Sequence, residues 1–149
     1  HPPPAHTAGD LWVYLPQQNI IATGDLVFNG YYPFLDQPEG GTSIVGMISA
    51  VRMLAHDYPS AAFMPGHGPM ANAGDLLHYA DFLEALQNAA VEAHASGWSI
   101  GEAARRNDLS KWKLAVLPSF RNKRLLWATA ANDARWAYVI TGEPNQAAK

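Results

Sequence analysis

The chain has 149 residues, 48% hydrophobic and 15% charged, which suits a single globular domain with a real core and excludes general disorder. A net charge of -3 provides no basic face for nucleic acid, and no apolar run approaches the ~18 residues of a membrane span. The absence of cysteine excludes disulfides and thiolate metal ligands.

The sequence opens on His1-Pro2-Pro3-Pro4, with no signal peptide, and reads as the later part of a longer protein whose compartment is unknown. His6-Thr7-Ala8-Gly9-Asp10 precedes an aromatic and β-branched run, Leu11 to Pro16, that predicts a strand. Gln17-Gln18-Asn19 then turns into Ile20 to Asp25, a second strand, making a β-hairpin. In an antiparallel pair His6 and Asp25 belong to the same end of the ribbon, which brings an imidazole and a carboxylate together. Leu26 to Asp36 is expected to be a loop rich in aromatics, with Phe28, Tyr31, Tyr32 and Phe34. After Gly40-Gly41, apolar residues from Ile44 to Leu54 recur at helical spacing, with Thr42 or Ser43 as N-cap and an end near Asp57. A short buried strand, Ala61 to Met64, follows and leads into Pro65-Gly66-His67-Gly68.

An isolated Gly-His-Gly is more often a surface turn than a ligand. Here it closes a β-β-α-β order in which His6, Asp25 and His67 all fall at strand termini, as a metal site built on a sheet edge requires. Three motifs in this order, His6-Thr7-Ala8-Gly9-Asp10, Thr23-Gly24-Asp25 and Pro65-Gly66-His67-Gly68, resemble the last three metal motifs of the metallo-β-lactamase-fold hydrolases. The resemblance covers roughly residues 1 to 70. It implies an α/β (α+β) fold: the C-terminal half of a metallo-β-lactamase αβ/βα sandwich.

By that resemblance two zinc ions, or iron or manganese, would occupy the site. His6 would bind the first metal, His67 the second, and Asp25 would bridge them as the catalytic carboxylate beside a metal-bound hydroxide. Such a site cleaves an ester, thioester, lactone, amide or phosphoester in a small-molecule substrate. An aspartate at position 25 is more like the glyoxalase II and lactonase side of the family than the true β-lactamases, many of which have cysteine there. One departure is large: the family's H-x-H-x-D-H motif does not occur in this sequence. The chain alone is therefore expected to hold little metal tightly and to be inactive. The apolar sheet face left open should be covered by the missing N-terminal half or by a second copy of the chain.

Residues 71–149 read as a helical extension packed on residues 1–70. Asn72 caps a helix from about Ala73 to Ala95, and Gly97 ends it. Ser99-Ile100-Gly101-Glu102 fits a capping box opening a short helix through Arg106. Trp112 and Leu114 to Leu117 form an apolar patch closed by Pro118, and a last helix is expected from about Asn122 to Thr141. Other candidates have blander readings. His56 suits the C-terminal dipole of its helix. His78 and His94 are not spaced as a chelating pair, and Asp36 reads as loop solvation. Trp112, Trp127 and Trp136 read as core residues of the tail. Asp10 either caps its turn or supports the metal site from behind. Tyr31, Tyr32 and Phe34 either line a substrate cleft or pack under their loop. Two further functions remain open beside hydrolysis: a non-catalytic structural or oligomeric module, and a di-iron oxidoreductase.

Overall fold

The computed structural model describes residues 2, 4–33, 35, 42–99, 102, 103, 106 and 109–115. Phe34, Asp36, the apolar patch beyond Ala115 and the last expected helix, with Trp127 and Trp136, lie outside the described residues.

The first hairpin forms as its sequence predicts, with different limits. Strand β1 (Val13–Leu15) pairs antiparallel with β2 (Ile20–Phe28), and the turn between them places Asn19 at a φ of 51°. Asparagine tolerates that left-handed conformation. Its side chain also donates to the Ser60 carbonyl at 2.9 Å, tying the hairpin to the turn before the next strand.

Strand β2 does not stop at Asp25. It runs on through Leu26, Val27 and Phe28, all buried, so Phe28 belongs to the sheet and not to an aromatic loop. Three consecutive buried residues show no period-two alternation, which is why the sequence conceals the continuation. Gly24 has a φ of 53°, and the pairing with β3 shifts register on both sides of it. An irregularity of this kind lets one strand re-aim a side chain. It leaves Asp25 exposed between buried Thr23 and buried Leu26.

Helix α1 (Ile44–Asp57) crosses over to β3 (Ala62–His67), which pairs parallel to β2 and so completes a sheet of order β1-β2-β3. Ser43 is the N-cap, its hydroxyl accepting from the Gly46 N–H at 3.0 Å. β3 extends past Met64 to His67. Pro65 is tolerated because an edge strand has amides that need no ladder partner. Helix α2 (Ala73–Ala95) starts at Asn72 with a full capping box: the Asn72 side chain accepts from Asp75 N–H, and the Asp75 carboxylate accepts from Asn72 N–H. Gly97 takes a φ of 66° beyond its end, and the expected Ser99–Glu102 box is present. A 3-10 turn (Ser110–Trp112) follows, and Ala115 pairs with Tyr31.

The cross-strand rows sort the sheet into two faces. Tyr14, Ile21 and Phe63 form one row, and Ile21 and Phe63 are fully buried beneath Met47, Val51, Leu54, Leu76, Phe82 and Leu83 of the two helices. Val13, Ala22 and Met64 form the next row, and Leu15, Ile20 and Ala62 a parallel one, on the opposite face. There Val13 is 49% exposed, Leu15 40% and Met64 47%. One face is core, apart from Tyr14 on the β1 edge, which is 40% exposed; the other is apolar and only partly covered. Among the described residues, no helix is long and apolar enough to cross a membrane.

Candidate metal centre

The site grows from the end of β2. Thr23 is buried, and its hydroxyl lies 3.3 Å from both the Gly24 and Met64 carbonyls, linking β2 to β3 immediately before the carboxylate. Asp25 and His67 then face each other across the two strands, with Asp25 Oδ1 3.6 Å from His67 Nε2. Both side chains are partly exposed, at 45% and 39%. A separation of 3.6 Å is too long for a good hydrogen bond. It suits two donors on one cation, because ligand atoms ~2.1 Å from a tetrahedral zinc stand about 3.4 Å apart.

Gly66 makes this approach possible. A Cβ there would collide with Asp25 Oδ1 and crowd the backbone of Gly24 and Asp25. Gly68 is required for a different reason: its φ is +99°, and a Cβ would run into the Asn29 carbonyl. Asn29 holds the far side of the loop, its N–H donating to the His67 carbonyl at 2.9 Å and its side-chain amide to the Pro69 carbonyl at 3.1 Å.

His6 arrives from a separate segment docked on the start of α1. The Ser43 N–H donates to the Ala5 carbonyl at 2.6 Å, and Thr42 Oγ1 donates to the His6 carbonyl at 2.7 Å. Thr42, an alternative N-cap by sequence, thus fastens the His6 loop instead. Gly46 lets the loop lie close, since a Cβ there would strike the Pro4 carbonyl. The His6 ring comes within 5.8 Å of the Phe28 ring, whose centroid is 4.7 Å from that of His67. Among the described residues, no group of three histidine, aspartate or glutamate side chains is arranged to hold a metal ion. Asp25 and His67 fit a cation as a pair, and His6 stands nearby around Phe28.

Other candidates among the described residues have hydrogen-bond or packing partners of their own. Asp10 accepts from the Thr7 N–H at 2.9 Å and from its hydroxyl at 2.8 Å, capping the His6 turn. Tyr32 packs edge-to-face on Phe82 of α2, and its N–H donates to the Ala115 carbonyl. Tyr31 is half-buried against the same core. His56, in the last turn of α1, faces Asp57 at 2.9 Å, and His78 lies against Trp112. Phe28, Asn29, Thr42 and Gly46 were not singled out as site residues by sequence. Phe28 ends the concealed continuation of the Asp25 strand and Asn29 directly follows it, so neither carried a signal of its own.

Neither a family model nor a curated protein matches the sequence. Solved structures do. A metallo-beta-lactamase from Pontibacter korlensis is 32% identical over 54% of this chain and 38% of its own, with a TM-score of 0.47. A double mutant of the sec-alkyl sulfatase PisA1 aligns with 90% of this chain and 22% of its own length, at 15% identity and a TM-score of 0.63. What the chain shares with the sulfatase is the fold. The mixed α/β arrangement, a three-stranded sheet with two long helices, is consistent with part of a metallo-β-lactamase fold. The chain spans well under half the length of either protein.

Proposed function

We propose that this chain is the C-terminal portion of a metal-dependent hydrolase, with Asp25 and His67 as ligands of one cation and His6 as a ligand of a second. The observation that carries the reading is the Asp25–His67 pair, 3.6 Å apart across β2 and β3, with the space beside the carboxylate cleared by Gly66. An imidazole and a carboxylate are borderline and hard donors, which suits zinc and also iron or manganese. Two such ions would supply Lewis acidity, polarising the scissile group and acidifying an attacking water. Within this chain, Asp25 would bridge and partly neutralise the ions, Gly66 would keep its carboxylate in place, and Asn29 would fix the loop that carries His67. An H-x-H-x-D-H segment is needed to complete the ligand set, and its absence here leaves the isolated chain inactive. The substrate is a small ester, thioester, lactone, amide or phosphoester. An aspartate bridge favours the glyoxalase II-like or lactonase-like side of the fold over β-lactam hydrolysis.

The open apolar face of the sheet supports the same reading, because Val13, Leu15 and Met64 need a cover of similar size and character. The segment bearing H-x-H-x-D-H is the partner we assign to it, with a second copy of this chain as the alternative. A non-catalytic module is the second reading, favoured by the lack of a three-ligand group among the described residues. One experiment separates the two. Asp25→Ala, made in the protein that also carries an H-x-H-x-D-H segment, abolishes hydrolysis of a panel of esters and lactones; turnover near that of the unsubstituted protein rejects the bridging role.

A further inference from the structure

Two imidazoles of the proposed site lie against one phenyl ring. Phe28 stacks on His67 with centroids 4.7 Å apart and planes inclined by 19°. His6 meets the same ring at 5.8 Å and 45°. Phe28 has no exposed surface, whereas the His67 side chain is 39% exposed. A half-exposed histidine ordinarily samples several rotamers, and fixing one costs entropy at the moment a ligand binds. Here the fixing precedes binding. The register of β2 and β3 sets Phe28 directly beside His67, and Asn29, the next residue, takes the His67 carbonyl in a hydrogen bond. Phe28 is itself held within the core shared by the sheet and helices, so the ring cannot swing away from the imidazoles without opening that core.

We infer that Phe28 is a positioning residue for the cation site, a core-anchored plate that sets the ring plane of His67 and borders His6. The inference rests on Asp25 and His67 being cation ligands, and it adds a residue that binds nothing itself. Offset stacking of this kind favours one ring orientation beyond simple burial. Removing the plate leaves His67 in place but takes away the ring it stacks on, so cation affinity falls by about 10–100-fold, as for other groups that orient ligands.

The test compares Phe28→Leu and Phe28→Met with Phe82→Leu, which removes a buried phenyl from α2. NMR of the metal-free chain reads the His67 ring. The unsubstituted chain shows nuclear Overhauser contacts between the His67 and Phe28 rings and one His67 rotamer. Both Phe28 variants average that rotamer, and Phe82→Leu preserves it. Cobalt(II) titration of the same samples then shows the 10–100-fold loss for the Phe28 variants alone. A His67 ring as fixed in Phe28→Met as in the unsubstituted chain overturns the inference. So does an equal loss of cobalt affinity in Phe82→Leu, which would mean general loosening of the core. Failure of the unsubstituted chain to bind cobalt is a different result: it removes the ligand reading, while the NMR still reports whether Phe28 fixes the ring.

Discussion

Gly66 owes its place to a residue 41 positions earlier. From sequence, the glycines around His67 suggest backbone freedom, and for Gly68, at a φ of +99°, that is correct. Gly66 is there because a side chain would displace the Asp25 carboxylate. Gly66→Ala should therefore cost about 1–3 kcal/mol in thermal or urea unfolding, by the usual penalty for overpacking. It should also weaken cation binding; an unchanged melting temperature would show that Asp25 is not held against this glycine. Thr23 makes a smaller contribution through its buried hydroxyl. Thr23→Val should lose about 1 kcal/mol, measured by urea unfolding, because two carbonyls lose a shared donor. The ligand candidates themselves were legible as motifs. Their supports were not, because a cleared space or a stacked ring depends on residues far apart in the chain.

At the level of elements, punctuation in the sequence was the reliable guide. Ser43, Asn72, Gly97 and the Ser99–Glu102 box all mark helix ends where the structure has them. The acid at the third position of α2 is Asp75, shorter than the usual glutamate, yet it closes the box at 2.9 Å. Asn72→Ala should destabilise the fold by about 1 kcal/mol in thermal melting. Strand ends were less legible. Asp25 and Pro65 look like stops, but β2 continues through an irregularity at Gly24, and β3 continues along an edge where proline is tolerated. The consequence is functional: Asp25 sits inside β2, and His67 closes β3 still paired with Phe28, so neither stands on a frayed tip. The His6 loop depends instead on α1. Gly46→Ala should lift it off the helix, which amide exchange at Ala5 and Ser43 would reveal as lost protection with α1 itself intact.

For the molecule as a whole, the asymmetry of the sheet is the dominant physical fact. Ile21 and Phe63 lie in a closed core, while Val13, Leu15 and Met64 face outward. Which face of the sheet is covered was not legible in the sequence, since both faces carry apolar side chains. An open surface of this kind favours association. Val13→Lys combined with Met64→Lys should convert a self-associating chain to monomer in sedimentation without lowering its melting temperature. If the unsubstituted chain is already monomeric and soluble at high concentration, the face needs no cover. The central claim is narrower: Asp25 and His67 hold one divalent cation between them. Titration of this chain with cobalt(II), followed by its visible absorption, measures that directly. Weak binding that disappears in both Asp25→Ala and His67→Ala is the predicted result; binding that survives either substitution unchanged would contradict it.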